Sequence, residues 1–180
     1  MFKPISFAVL AVAIGSCAPI SEKACLGGDW GAIGLADGKA GKPASMLQSY
    51  SETCADFGVA PVQETYLAAR AAGLKFYCTP ENAYSVGRSG ARLANVCSPD
   101  LQSAMRPAYD RGNEYFEISE EIDDLNDRID DLQDLLSSNY SGKLTPAELT
   151  QARLISSKIR DLRNDIFRLE IRQRRYDSWP

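Results

Sequence analysis

Cysteine is the most reactive residue type in this 180-residue chain, which holds five of them and no histidine. Without histidine there is no Ser-His-Asp or Cys-His pair, no imidazole metal ligand, and no common general base near neutral pH. Cys17 stands apart from the other four. It ends Ile14-Gly15-Ser16-Cys17, a run that resembles the bacterial lipobox, whose cysteine is diacylated and becomes the new N-terminus after cleavage. Cys25, Cys54, Cys78 and Cys97 are spaced 29, 24 and 19 residues apart. No Cys-x-x-Cys pair supplies the short chelating loop of a structural zinc site or a redox motif. In an exported chain four such cysteines read as two structural disulfides. No metal and no cofactor are expected.

The remaining chemistry rests on carboxylates and arginines. A hydrolytic site in the cysteine-bearing part would draw on Asp29, Asp37, Glu52, Asp56 and Glu64, two of them facing one cleft. Nothing in their spacing singles out a pair, so the chain is not expected to be an enzyme. Arg70 and Arg88 hold comparable places in two tyrosine-containing segments and are the candidates for binding a carboxylate-bearing ligand such as a wall peptide. No Gly-x-Gly-x-x-Gly or Gly-Lys-Ser/Thr run makes a phosphate loop. With 24 acidic and 20 basic side chains, net −4, general phosphate attraction is absent and no nucleic-acid partner is expected.

These residues need elements to place them. Residues 1–16 read as a signal peptide: an early Lys3, an apolar stretch from Ile5 to Ile14, and small residues before Cys17. Ten apolar residues are too few to cross a hydrocarbon core of about 30 Å. Residues 17–24 then form a lipidated N-terminus and tether, anchored to a membrane without spanning it. Ala18, where an aspartate is absent, resembles lipoproteins sorted to the outer membrane, so the expected location is its periplasmic face.

Residues 25–112 carry every remaining cysteine and eight charges of each sign, and read as a helical head. Asp29–Ala40 and Pro43–Cys54 are two short helix candidates around Gly41-Lys42. An antiparallel pair would return Cys54 to Cys25, leaving Cys78 to bracket a second unit with Cys97. Cys78-Thr79-Pro80-Glu81 recurs as Cys97-Ser98-Pro99-Asp100, each with a capping hydroxyl, a proline for the first turn and an acid for the helix dipole. Aromatic residues precede glycines at helical spacing, which suggests rings laid over glycines of a neighbouring helix.

Trp30-x3-Gly34-x2-Asp37-Gly38-x2-Gly41, Tyr66-x3-Arg70-x2-Gly73-Leu74-x2-Tyr77-Cys78 and Asn82-Ala83-Tyr84-x2-Gly87-Arg88-x-Gly90 before Val96-Cys97 together form a pattern. It resembles the bacterial domain of unknown function 2799 family of small exported proteins and lipoproteins, over roughly Cys25 to Gly112. The resemblance implies export and the cysteine framework, and implies no activity.

Residues 113–180 have no cysteine and read as an antiparallel two-helix coiled-coil hairpin. Pro107 to Gly112 should interrupt any helix arriving from the head. Tyr115, Ile118, Ile122, Leu125, Ile129, Leu132 and Leu136 form one heptad seam; Ala152, Ile155, Ile159, Leu162, Ile166 and Leu169 form a second, reaching Tyr176. Thr145-Pro146-Ala147-Glu148 is a capping box between them. Residues 113–136 are net −9 and residues 145–177 net +3, so the arms should pair with each other, Asp127 near Arg153, Glu121 near Arg160 and Glu114 near Arg168. Leu135, Leu154 and Phe167 lie off both seams.

The expected protein is thus mainly α, a small disulfide-braced helical head followed by a coiled-coil hairpin. The expected role is structural or interactive in the cell envelope. The partners are the membrane, through the lipid anchor, and an envelope protein held by the hairpin. The alternative is a peptidoglycan or small-ligand binding module using the head.

Overall fold

The computed structural model describes residues 19–180; Cys17 and the signal segment lie outside the described residues. Among the described residues the regular structure is entirely helical. In chain order the helices are α1 (Glu22–Gly27), α2 (Trp30–Lys39), α3 (Met46–Ala55), α4 (Gln63–Tyr77), α5 (Pro80–Arg88), α6 (Pro99–Asn139) and α7 (Pro146–Gln173), followed by a 3-10 turn over Arg174–Tyr176. No helix of the described residues is long and apolar enough to cross a membrane.

Local signals explain most of the helix starts. Ser21, Asp29 and Thr79 each accept a backbone N–H of the first turn of α1, α2 and α5, relieving donors that have no partner within the helix. Thr145 and Glu148 cap α7 reciprocally. Ser98 departs from the expectation: its side chain makes no cap bond to α6. Gln102 instead reaches back to the Cys97 carbonyl at 2.6 Å.

The head is two helix pairs built alike. In the first, α2 crosses α4; in the second, α5 crosses the beginning of α6. Each crossing is made by a glycine on either helix. A Cβ on Gly38 or Gly73 would collide with the backbone of α4 or α2, and one on Gly87 or Gly112 with that of α6 or α5. The helical glycines thus serve backbone-to-backbone approach, not the ring-over-glycine contact expected of them. Rings do cover glycine in the turns that end α2 and α5, at Gly41 and Gly90, where φ is +66° and +70°. Tyr77 covers Gly41 and Phe116 covers Gly90. Gly38 and Gly87, Gly73 and Gly112, and Tyr77 and Phe116 occupy equivalent places, so the weak sequence repeat is a repeated packing device.

A disulfide lies ahead of each crossing. Cys25–Cys54 ties α1 to the end of α3, and Cys78–Cys97 ties the entries to α5 and α6. These are the pairings that the helical-hairpin argument ranks first, although α2 packs chiefly on α4 and not on α3. Two disulfides point to an oxidising compartment. The first bond sits in a core with Ile20, Trp30, Tyr50 and Tyr66; the second adjoins Tyr77, Ala83, Tyr84, Met105 and Ala108.

The expected break between head and hairpin does not occur. Helix α6 runs 41 residues with Pro107 inside it, about 60 Å at 1.5 Å per residue. An interior proline removes one backbone bond and destabilises a helix by about 3 kcal/mol. Met105, Ala108 and Gly112 are buried around it, and their packing carries the helix through. The far half of α6 returns through Tyr140–Thr145 into α7. Ile129, Ile159 and Leu162 are buried between the arms, flanked by Leu125, Leu132, Leu136, Ile155 and Ile166, as the two heptad patterns require.

The ion pairs between the arms differ from expectation. Asp127–Arg153, Glu121–Arg160 and Glu114–Arg168 are not formed; Glu114 bonds Arg172, one turn further along α7, and Gln173 donates to Ser119 at 2.6 Å. Exposed pairs add only about 0.2–1 kcal/mol each, too little to set register against the apolar seam.

Candidate functional site

Asp37 is the one buried charged residue of the described core, 4% exposed. It sits on α2 one residue before the Gly38 crossing, where the backbones of α2 and α4 meet. Tyr50 and Tyr66 each donate to Asp37 Oδ2 at 2.8 Å, and Lys42 Nζ lies 2.9 Å from Oδ1. The rings of Tyr50 and Tyr66 meet edge to face with centroids 6.1 Å apart. Burial, then the bond to Asp37, pushes both phenols above their ordinary value; the bond to Asp37 raises the Lys42 ammonium. With both oxygens occupied and the phenols held protonated, the carboxylate ties α2, α3 and α4 together.

Arg70, a candidate ligand-binding residue, belongs to this brace. Its Nε donates to the Lys42 carbonyl at 2.8 Å, fixing the turn that carries Lys42 to Asp37. Its donors serve the fold.

Arg88 lies in the second helix pair, and the structure does not bring it together with Arg70 in a shared contact. It does hold a carboxylate, one from this chain. Arg88 Nη2 donates to Asp177 Oδ1 at 3.0 Å and Nη1 to the Asp177 carbonyl at 2.6 Å. Its guanidinium lies over the Tyr115 ring, 3.9 Å from the centroid, so Tyr115 leaves the heptad seam in which the sequence pattern places it. Tyr84 donates to the Tyr176 carbonyl at 2.7 Å. Arg111 donates to the Ser178 carbonyl at 2.7 Å and to the Arg175 carbonyl, and its guanidinium lies over the Tyr176 ring. Trp179 packs against the core around Tyr84 and Met105. The segment after α7 is therefore seated on the head. The roles of Arg111 and Tyr84 escape the sequence reading because their contacts join residues 64 to 92 apart.

The remaining carboxylates are placed singly. Asp29 caps α2, Glu52 accepts from Gln48 at 3.0 Å, Asp56 follows α3 and Glu64 lies in the first turn of α4. Two clefts, of about 610 and 500 Å³, run beside Ala94 and Arg106 and between α3 and α4, and neither is lined by any of the five. Among the described residues no three His, Cys, Asp or Glu side chains converge as a metal site requires.

The outer side of α7 is the other distinctive surface. Leu149, Arg153, Arg160, Phe167 and Ile171 follow one another by 4, 7, 7 and 4 residues, which is one stripe of a helix about 33 Å long. All five are exposed, Phe167 by 59%, and neither arginine has a carboxylate within 4.0 Å. Leu154 is 62% exposed and lies about a third of a turn away; Leu135 is exposed on α6. None of them joins the three buried apolar clusters.

Residues 29–114 match the family model of a Protein of unknown function (DUF2799), and the chain resembles that family over α2 to the start of the hairpin. The match takes in both glycine crossings and Asp37. No curated protein and no solved structure matches the chain.

Proposed function

We propose, from that resemblance and from the outer face of α7, that this is a non-enzymatic protein of the bacterial cell envelope whose hairpin contacts a protein partner. Residues 1–16 export it, and the lipid on Cys17 holds it at the periplasmic face of the outer membrane. The head is a brace: its disulfides suit an oxidising compartment, and its buried carboxylate is fully engaged by Tyr50, Tyr66 and Lys42. The observation that carries the reading is the unpartnered stripe on α7. A two-helix hairpin needs one apolar seam, and Phe167 and Ile171 lie outside it, preceded on the same stripe by the unpaired Arg153 and Arg160. Exposed apolar side chains with arginine between them have the composition of a protein interface.

The test is crosslinking in intact cells with the full chain, beside Phe167→Glu and Ile171→Glu. Loss of a specific crosslinked protein from both variants, with helicity unchanged, is the expected result. Identical crosslinking profiles would refute the hairpin as the contact element. Separately, Cys17→Ser should abolish fatty-acid labelling, and unchanged labelling would refute the anchor.

A further inference from the structure

The segment after α7 does more than end a helix. Four successive main-chain carbonyls, those of Arg175, Tyr176, Asp177 and Ser178, each accept a hydrogen bond from a head side chain: Arg111, Tyr84, Arg88 and Arg111 again. Two side chains of the segment are also taken up, the Asp177 carboxylate by Arg88 and the Trp179 ring by the core beside Tyr84 and Met105. The receiving groups are held in place by the head itself. Arg88 is fixed from behind by the Tyr115 ring and from the side by the Tyr84 hydroxyl, 3.1 Å away. Arg111 projects from α6 next to Gly112, whose backbone is clamped against α5. Donors aimed at consecutive carbonyls, with one cationic and one apolar anchor, are the elements of a peptide site.

We infer that the cleft framed by Tyr84, Arg88, Arg111 and Tyr115 is a peptide-binding site that the chain's own residues 175–179 fill. Its ligand class is a short segment that leaves a helix through a tight turn and presents successive carbonyls, with a carboxylate two residues before a large aromatic residue. A tethered segment meets its site at a local concentration on the order of millimolar. At that concentration any intrinsic Kd below about 100 μM keeps the site at least about 90% filled from within, and a peptide in solution then binds at least about 10-fold more weakly than it does to the empty cleft. The site is selective for occupants that arrive at high local concentration or bind better than the internal segment. The inference stands independently of the hairpin's role.

The experiment uses a fluorescein-labelled peptide of residues 175–180, Arg-Tyr-Asp-Ser-Trp-Pro, titrated by anisotropy against the full chain and against a chain ending at Arg174. Saturable binding to the shortened chain, at least 10-fold tighter than to the full chain and lost on Arg88→Ala or Arg111→Ala, is the expected result. Three results would overturn the inference: no binding by a shortened chain of native helicity, equal binding by both chains, or binding indifferent to both arginines. If shortening unfolds the head, the full-length double variant Asp177→Ala/Trp179→Ala, which removes the carboxylate and the ring of the segment but not its carbonyls, should bind the peptide more tightly than the unaltered chain does, and binding equal to that of the unaltered chain would overturn the inference.

Discussion

Replacing Asp37 by alanine tests whether the buried carboxylate is the tie that holds the first helix pair. The substitution leaves the Tyr50 and Tyr66 hydroxyls without their common acceptor, both inside the protein. A buried hydroxyl left unsatisfied costs about 1–3 kcal/mol. Lys42 is 44% exposed, so its lost ion pair adds at most about 1 kcal/mol after solvent screening. A water entering the vacated space would recover part of this, and the net loss should be about 3–5 kcal/mol. Tyr66→Phe, which leaves the carboxylate with two donors, should cost only about 0.5–1.5 kcal/mol. Asp37→Asn should fall between, because its oxygen still accepts from a phenol while its amide faces the Lys42 ammonium. Urea unfolding with the disulfides intact, followed by the fluorescence of buried Trp30, measures all three. An Asp37→Ala loss below about 1 kcal/mol, or equal to that of Tyr66→Phe, would refute the brace.

Four further outcomes follow from the same structure. The two phenols titrate above their ordinary 10.0 in the fold, so above pH 10 the unfolded chain has released protons that the folded chain retains. Stability is therefore fully present below pH 10 and falls as pH rises beyond it; absorbance at 295 nm should show these tyrosines ionising only on unfolding, and their titration in a still-folded protein would contradict the burial argument. Replacing Cys25 and Cys54 together by serine should lower stability by about 3.6 kcal/mol from the entropy of the loop it closes, and the Cys78/Cys97 pair by about 3.2 kcal/mol; calorimetry that finds either pair neutral would mean that the bond braces nothing. Gly112→Ala drives a methyl into the backbone of α5 and should cost about 1–3 kcal/mol or more, whereas Gly142→Ala, which meets no neighbour but has φ +98°, should cost only its backbone strain; equal melting temperatures for Gly112→Ala and wild type would exclude the crossing. Ile159→Asp buries a charge in the seam and should reduce helicity by circular dichroism far more than Leu154→Asp; equal effects would sink the seam assignment.

Local chemistry was readable in advance. Thr145 and Glu148 sit three apart, the heptads of Ile129 and Ile159 repeat, and Cys25 and Cys54 bracket a short helical unit, so each signal lies within a few turns of chain. Arg70 and Arg88 stood out by their comparable places in two tyrosine segments, but nothing local shows that Arg70 bonds the Lys42 carbonyl or that Arg88 meets a carboxylate 89 residues away. Asp37 meets Tyr50 and Tyr66 across 13 and 29 residues, through a helix crossing that only the paired glycines hint at. Pro107 misled the reading because a proline's local penalty is smaller than the packing of Met105, Ala108 and Gly112 around it. The ion-pair register slipped by a turn because surface charges follow the apolar seam. Tyr176 and Trp179, aromatics in an otherwise charged stretch, were the available sign that the segment after α7 has somewhere to go.

The unbroken passage of α6 from head to hairpin has a mechanical consequence. From the clamp at Gly112 to Asn139 the helix extends about 40 Å, so it is a lever with its fulcrum where two glycines press backbone against backbone. A tilt of about 10° at that fulcrum sweeps the far end through about 7 Å by this length. The missing backbone bond at Pro107 lies on the short side of the fulcrum, within the grip of α5. Seen this way, Phe116 over Gly90 and the seated segment at Arg88 and Arg111 are stays on the lever's root. A pull on the distant tip would arrive first at those contacts, with its force multiplied by the length of the arm.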